Sequence, residues 1–153
     1  MSEPYSIEQI GVAQVPPNPG TCAVPEAFGH DVIMDVHVGR LEPADWLGRT
    51  LRVVMDRPLG SLHPEYGFRY ELNYGYVPGY IAPDGEELDA YVVGTDEVLD
   101  ECEGVVVAVI RRHDDIEDKL VVAVDDRQRG VEVITAAVAF QEASWNSEVV
   151  VAP

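Results

Sequence analysis

Carboxylates, an arginine and paired tyrosines lie within one short stretch of this chain. Asp56-Arg57 is followed by the segment from Tyr70 to Tyr76 and then by Asp84-Gly85-Glu86-Glu87-Leu88-Asp89. Carboxylates bind hard divalent cations, whereas arginine and tyrosine hold phosphate oxygens. A site with both kinds of group can clamp a phosphoanhydride between metal ions and cationic side chains and direct an activated water at it. The stretch therefore predicts a magnesium-dependent phosphoanhydride hydrolase.

Asp84, Glu86 and Asp89 form the first candidate metal cluster. Pro83 and Gly85 predict a tight bend, which lets neighbouring carboxylates converge. Oxygen ligands without nearby cysteine or histidine favour Mg²⁺, or alternatively Mn²⁺, over zinc. The alternative interpretation is a solvated acidic turn without a ligand, and the short motif taken alone favours that alternative.

Asp115, Glu117 and Lys119 form a second cluster, and Lys119 is the only lysine of the chain. Residues two apart on a strand share a face, so the pattern predicts that these three side chains point together. They are candidate metal ligands beside a candidate phosphate contact. The alternative is a hairpin tip with an incidental ion pair, which would contribute little to stability.

Arg57 and Tyr74 are the remaining candidate phosphate contacts. Arg57 ends a strand rich in β-branched residues just before Pro58, where a bidentate grip on phosphate is possible. Tyr74 offers a hydroxyl, whereas Tyr70 and Tyr76 are better explained as an aromatic stripe in a core.

The composition excludes several classes of partner. The 153 residues have a net charge of −18, which argues against nucleic acid and anionic membranes because phosphate backbones need basic surface. A polyanionic substrate would need bound metal to invert the local field. No apolar run approaches the roughly 20 residues that span a bilayer, and the N-terminal residues do not resemble a signal peptide. We therefore expect a cytoplasmic protein whose two cysteines, Cys22 and Cys102, are reduced.

The pattern of apolar residues predicts a mainly β protein with one C-terminal helix, in a small closed five-stranded barrel of the OB type. An open α+β sheet is the alternative. Residues 1–30 are predicted to be an N-terminal arm, with a possible strand at Ile10 to Val15, and 31–153 one domain. The predicted helix is Val131 to Ser144, and Leu41 to Gly48 could hold one helical turn. The predicted strands are Val32 to Val38, Leu51 to Asp56, Arg69 to Tyr80, Leu88 to Val93, Gly104 to His113 and Lys119 to Val124.

The run from Val54 to Val93 resembles the soluble family I inorganic pyrophosphatases. The resemblance lies in Asp56-Arg57, in Tyr70 to Tyr76, and in Asp84 to Asp89 at ten residues beyond Tyr74. Asp115-Ile116-Glu117-Asp118-Lys119, followed by a helix, is similar to a later segment of that family. Altogether the likeness extends over roughly residues 50–145, and it implies an OB-type barrel, a pyrophosphate substrate and a homo-oligomer.

The resemblance also implies roles for individual residues. Asp84, Asp89 and Glu117 would hold a first metal ion, and Asp115 would help to hold another. Glu86 stands where the family has the aspartate that accepts a proton from the attacking water. Arg57, Tyr74 and Lys119 would bind phosphate oxygens.

The chain also departs from the family pattern. Glu86 replaces an aspartate and Glu87 replaces a proline, while Ser144-Trp145 falls near the position of a Tyr-Lys pair. Three functions therefore remain open: hydrolysis of inorganic pyrophosphate, hydrolysis of another phosphoanhydride or phosphoester, and a non-catalytic OB-type module that binds metal or nucleotide.

Overall fold

Several short segments are rich in apolar and β-branched residues, and these segments form strands in the computed structural model, which describes residues 35–153. The described residues form seven strands and two helices. The strands are β1 (Val36–His37), β2 (Thr50–Arg57), β3 (Asn73–Ile81), β4 (Glu87–Val93), β5 (Glu101–Arg112), β6 (Asp118–Ala123) and β7 (Ser147–Val151), and the helices are α1 (Pro43–Trp46) and α2 (Val131–Glu142).

Five of the strands close into a barrel. β2 pairs antiparallel with β3 and β5, β3 pairs antiparallel with β4, and β5 pairs antiparallel with β6. The parallel pairing of β4 with β6 completes the circle. The short β1 adds to β3, and β7 adds to the edge of β5. The predicted closed five-stranded barrel is confirmed, and the alternative of an open sheet is wrong because β4 is paired on both sides.

The barrel strands bury two separate apolar clusters. One cluster draws residues from all five barrel strands, among them Val53, Val77, Ala90, Val109 and Leu120, and therefore fills the interior. The second contains residues that alternate with these, such as Tyr91, Ile110 and Val121, together with Ile134 and Val138 of α2. Helix α2 thus covers part of the outer face of the barrel. Burial of this kind stabilises by roughly 25 cal/mol per Å² of apolar surface.

The crossing of β2 and β3 leaves no room for a side chain at Gly75. A Cβ atom there would lie 1.9 Å from the carbonyl oxygen of Val54. The register of the same two strands shifts between Met55 and Arg57, so Asp56 occupies an irregularity at the end of β2. Such bulges redirect side chains, and this one lies where Asp56-Arg57 must reach the site.

Buried Asn73 holds together two loops at one end of β3. Its Oδ1 accepts hydrogen bonds from the backbone N–H groups of Leu59 at 3.0 Å and Leu99 at 3.1 Å. Its Nδ2 donates to the carbonyl of Glu97 at 2.8 Å. Since a buried amide without partners is costly, this residue fixes the loop that precedes β3.

Several boundaries differ from the sequence-based expectation. β3 begins at Asn73, not Arg69, because Tyr70 exchanges backbone hydrogen bonds with Gly60 and Ser61 in the preceding loop. α2 ends at Glu142, and β7 was not predicted. The predicted arm 1–30 and the possible strand at Ile10 to Val15 lie outside the described residues. Neither described helix has the length and apolar character needed to cross a membrane.

Candidate active site

Six of the eight predicted site residues line one cleft of about 380 Å³ on the outer face of the barrel, beside the C-terminal end of α2. Four of the barrel strands and the turn before β4 supply them, and the end of α2 borders the cleft through Gln141, Ser144 and Trp145. The six residues are Arg57, Tyr74, Asp84, Glu86, Asp89 and Lys119.

Asp89 lies at the centre of the polar contacts in this cleft. β4 and β6 run parallel with Ala90 opposite Leu120, so the preceding residues, Asp89 and Lys119, lie side by side. Lys119 Nζ donates to Asp89 Oδ2 at 2.7 Å, and the hydroxyl of Tyr74 donates to the same oxygen at 2.9 Å. Two donors therefore converge on one carboxylate oxygen.

The donors are themselves buried. The Lys119 side chain is 5% exposed, and its Nζ lies 3.6 Å from Glu117 Oε1. Burial, and then the negative charge of Asp89, raise the pKa of Tyr74 well above its ordinary value. Tyr74 is thus held as a neutral phenol that can donate a hydrogen bond, and Lys119 supplies the positive charge.

The turn before β4 has the tight shape expected from Pro83 and Gly85. The N–H of Gly85 donates to the Ala82 carbonyl at 2.9 Å, and Gly85 has a φ of 88°, which favours glycine. Asp84 Oδ1 accepts the backbone N–H of Glu86 at 2.9 Å. The turn therefore places the exposed Glu86 side chain at the mouth of the cleft, with its backbone fixed.

Asp84 and Glu117 form a pair of carboxyl groups. Sharing a hydrogen bond with Glu117 lowers the pKa of Asp84. Burial, and then the same contact, raise the pKa of Glu117 to about 7. Two carboxyl groups this close cannot both ionise without cost. This perturbation marks the pair as a candidate functional site.

Asp56 and Arg57 lie on the same cleft wall, at the irregular end of β2. Desolvation in the cleft, and then the charge of Asp89, raise the pKa of Asp56. Arg57 Nη1 donates to the backbone carbonyl of Asp56 at 3.0 Å. Asp56 was not among the predicted site residues, although its place beside Arg57 in the motif is a signal that could have identified it.

Asp115 is not brought to the cleft wall. Its Oδ2 accepts a hydrogen bond from Arg112 Nη1 at 3.1 Å, and its carbonyl accepts one from Arg40 at 2.7 Å. Residues 113–117 form a turn and not a strand, so the alternation of faces that grouped Asp115 with Glu117 and Lys119 does not hold there. Strand alternation does apply from residue 118 onward.

A buried hydrogen-bond network beneath the cleft was not predicted. Arg112 donates to both carboxylate oxygens of Glu142, from Nε at 3.0 Å and from Nη2 at 2.7 Å. Glu142 also accepts from the hydroxyls of Tyr91 at 2.5 Å and Ser147 at 2.7 Å. Because Glu142 ends α2 and Arg112 ends β5, the network fixes the helix against the barrel.

Aromatic side chains form another part of the cleft wall. His63, Tyr66, Phe68 and Tyr70 come from the loop between β2 and β3, and Trp145 follows α2. Tyr66, Phe68 and Tyr70 are spaced two apart, but they lie in a loop and not in a strand, so this period did not identify them as cleft residues.

The carboxylates fit a hard divalent cation by their donor chemistry. Asp84, Asp89 and Glu117 offer only oxygen, as Mg²⁺ prefers, and burial together with the contact to Asp84 raises the pKa of Glu117, so a cation bound between the two carboxyl groups would favour their ionised forms. Within residues 35–153, no three such groups already converge on a single point. Binding would therefore require the carboxylates to reorient.

No family model matches the chain, and no curated protein matches it. Among solved structures, an inorganic pyrophosphatase from Neisseria gonorrhoeae is 23% identical with a TM-score of 0.48, and the match covers 61% of this chain and 72% of that one. The chain is similar to bacterial inorganic pyrophosphatases.

Two further solved structures match with similar sequence identities and TM-scores. The inorganic pyrophosphatase from Helicobacter pylori is 21% identical with a TM-score of 0.43, covering 67% of this chain and 82% of its own. The one from Coxiella burnetii is 16% identical with a TM-score of 0.44, covering 67% and 83%.

Proposed function

We propose that this chain hydrolyses inorganic pyrophosphate to two phosphate ions in a Mg²⁺-dependent reaction. The observation that supports the proposal is the convergence of buried Lys119 and Tyr74 on Asp89 Oδ2, beside the paired carboxyls of Asp84 and Glu117. Cationic and phenolic donors beside surplus carboxylates are what a phosphoanhydride and its metal ions require together.

In this proposal Asp84, Asp89 and Glu117 hold the metal ions. A divalent cation held there would polarise phosphate oxygens and lower the pKa of the attacking water. Asp115 was also predicted to be a ligand, but its carboxylate is engaged by Arg112. In this proposal Asp115 is a candidate ligand only for the further metal ion that the resemblance implies.

Arg57, Tyr74 and Lys119 are the proposed contacts to phosphate oxygens. The guanidinium of Arg57 donates to the backbone carbonyl of Asp56, lies near Tyr70 and lines the cleft, where it can reach a ligand. Lys119 and Tyr74 line the cleft and donate to Asp89 Oδ2, and in this proposal they would donate to phosphate oxygens once Asp89 holds metal. Donors held in place before the reaction stabilise charge that develops on the departing phosphate without further reorganisation.

Glu86 is the proposed general base. It is exposed at the mouth of the cleft, and its backbone is anchored to Asp84. Water would attack one phosphorus and pass a proton to Glu86 while the bridging P–O bond breaks, and the bridging oxygen would leave with the second phosphate. General bases of this kind contribute about 10²–10⁴-fold.

The test is phosphate release from pyrophosphate with and without Mg²⁺, comparing the wild type with Asp89→Ala. We expect metal-dependent release that falls by at least about a hundredfold in the variant, because Asp89 is shared by the metal and cationic halves of the site. Val98→Ala, an exposed position outside the cleft, is the control and should retain the wild-type rate. Release that is absent from the wild type at every Mg²⁺ concentration would refute the proposal.

A further inference from the structure

The ring faces on the aromatic side of the cleft offer no contact that inorganic pyrophosphate needs. The surface of that ion consists of charged oxygens, which aromatic ring faces do not bind. Yet His63, Tyr66, Phe68 and Trp145 line the same cleft as Asp89 and Lys119. A ligand that uses the whole cleft must therefore combine a phosphoanhydride with a flat apolar group.

The loop between β2 and β3 holds its rings in a fixed arrangement. Tyr66 stacks on His63 with 4.8 Å between ring centroids and 25° between planes. The imidazole is fixed in turn, because its Nδ1 accepts the backbone N–H groups of Glu65 and Tyr66, both at 3.0 Å. The second face of Tyr66 remains open, and the residue is 71% exposed. A rigid ring with one free face is a stacking platform.

Trp145 offers a second ring at the end of α2. The guanidinium of Arg112 lies 4.2 Å from its centroid and holds one face. The residue is 38% exposed. Arg112 is fixed by Glu142, so the position of Trp145 is tied to the buried network beneath the cleft.

A series of neighbouring rings connects the aromatic side of the cleft to Asp89. The ring of His63 lies 6.3 Å from that of Tyr70, and Tyr70 lies 5.4 Å from Tyr74. Tyr74 donates its hydroxyl to Asp89. A ligand with its diphosphate at Asp89 would therefore extend along rings in mutual contact towards Tyr66.

The balance of charge also favours a ligand with a ring. Three cations of the described residues line the cleft. Lys119 is paired with Asp89 and Glu117, and Arg112 is paired with Glu142 and Asp115. Because two of the three cations already have ion-pair partners, they add less affinity for a polyanion than free cations would, whereas a stacked base raises affinity by about tenfold.

We propose that this cleft accepts nucleoside diphosphates, with the base stacked on Tyr66 or Trp145 and the diphosphate beside Asp89, Lys119 and Arg57. This inference rests on the proposed function, since the diphosphate uses the same groups. The volume of about 380 Å³ lies within the range of about 300–1,000 Å³ of sites for small organic ligands. Water adds to the terminal phosphorus and the bond from that phosphorus to the bridging oxygen breaks, which yields a nucleoside monophosphate and inorganic phosphate. The proton released by water passes to Glu86.

A pair of probes that cannot be hydrolysed tests the inference. Methylenediphosphonate and α,β-methylene ADP carry the same diphosphonate unit, and only the second has a base. We expect calorimetric titration in Mg²⁺ to show that the nucleotide binds about tenfold more tightly to the wild type. Tyr66→Ala and Trp145→Ala should each reduce that ratio, and the double variant should bring it close to one.

Two further variants separate stacking from other effects. Tyr66→Phe keeps the ring without the hydroxyl and should preserve the ratio, while Val98→Ala should leave both affinities unchanged. Fluorescence gives a second measurement, because the chain has two tryptophans and Trp46 is buried in the barrel interior. The nucleotide should quench the wild-type signal more than the signal of Trp145→Phe.

The outcomes distinguish this inference from the proposed function. Equal affinities for the two probes in the wild type, or a ratio that survives in the double variant, would overturn the inference and leave pyrophosphate hydrolysis standing. Failure of both probes to bind would overturn both proposals, since each depends on the diphosphate half of the site.

Discussion

The charged residues on the outer face of the barrel form two neighbouring groups whose carboxyl groups have different kinds of partner. In the first group, Glu142 accepts hydrogen bonds from Arg112, Tyr91 and Ser147, so each carboxylate oxygen has donors as partners. In the second group, Asp56, Asp84, Asp89 and Glu117 face the single amine of Lys119 and the guanidinium of Arg57, and two of these carboxyl groups, Asp84 and Glu117, share a hydrogen bond with each other. We call the first group balanced and the second group acidic.

The pKa values of Glu142 and Glu117 are shifted in opposite directions, which reflects this difference. Burial alone would raise the pKa of Glu142, but the hydrogen bonds from Arg112 and Tyr91 outweigh it and lower that pKa. For Glu117, burial and the neighbouring Asp84 act together and raise the pKa to about 7. A fold has no structural reason to keep the second arrangement, and such perturbations concentrate at functional sites. The balanced group positions α2, and the acidic group is available for a ligand.

Removing a partner from the balanced group should have the largest effect on stability. Glu142→Ala leaves Arg112 buried with only Asp115 as a partner and deprives Tyr91 of its acceptor. Loss of one member of a buried ion pair costs about 3–5 kcal/mol. We expect a decrease of that size in the free energy of unfolding, measured by urea denaturation.

Asp84→Asn is the matched control in the acidic group. It keeps an oxygen that can accept the N–H of Glu86 and removes one negative charge, so the free energy of unfolding should change by less than about 0.5 kcal/mol. If Asp84→Asn cost as much as Glu142→Ala, the contrast between the two groups would be wrong.

Mg²⁺ should act on the acidic group and not on the balanced one. A ligand that binds only the folded state at a hundredfold excess over Kd stabilises it by about 2.7 kcal/mol. We expect Mg²⁺ to raise the Tm of the wild type and of Glu142→Gln by similar amounts. The double variant Asp84→Asn/Glu117→Gln should lose most of the increase.

Ionic strength needs its own control, because a chain with a net charge of −18 is stabilised by screening in any salt. The comparison should therefore use Na⁺ at matched ionic strength as the reference. A Tm increase that Na⁺ reproduces, or that persists fully in the double variant, would show that no metal site exists in the acidic group.

The sequence predicted those parts of the molecule that depend on local patterns. Runs of apolar and β-branched residues located the barrel strands, and Pro83 with Gly85 located the turn that carries Asp84 and Glu86. Alternation failed for Asp115 because residues 113–117 form a turn. A period of two has meaning only within a strand.

Local sequence patterns could not predict contacts between residues that are distant in the sequence. Arg112 and Glu142 are 30 positions apart, and their pairing follows from how α2 packs on β5. The aromatic wall depends on the fold of the loop between β2 and β3, where Gly67 has a φ of 77° and its N–H donates to the His63 carbonyl at 3.0 Å. The positions of Tyr66 and Trp145 in the sequence do not indicate that the two residues line one cleft.

Lowering the pH should change the free energy of unfolding through the balanced group, and we expect this effect to be the smallest of those described. The pKa of Glu142 in the folded state lies below its usual value of 4.5, so below that pH the unfolded chain binds this proton before the folded one does. Stability contributed by Glu142 is present above the usual value and is lost as pH falls through the folded pKa. Glu142→Gln cannot titrate, so its free energy of unfolding, measured by urea denaturation at a series of acidic pH values, should fall less steeply than that of the wild type. Equal slopes would mean that Arg112 does not hold Glu142 ionised, and the two groups would then no longer differ in the way their charges are balanced.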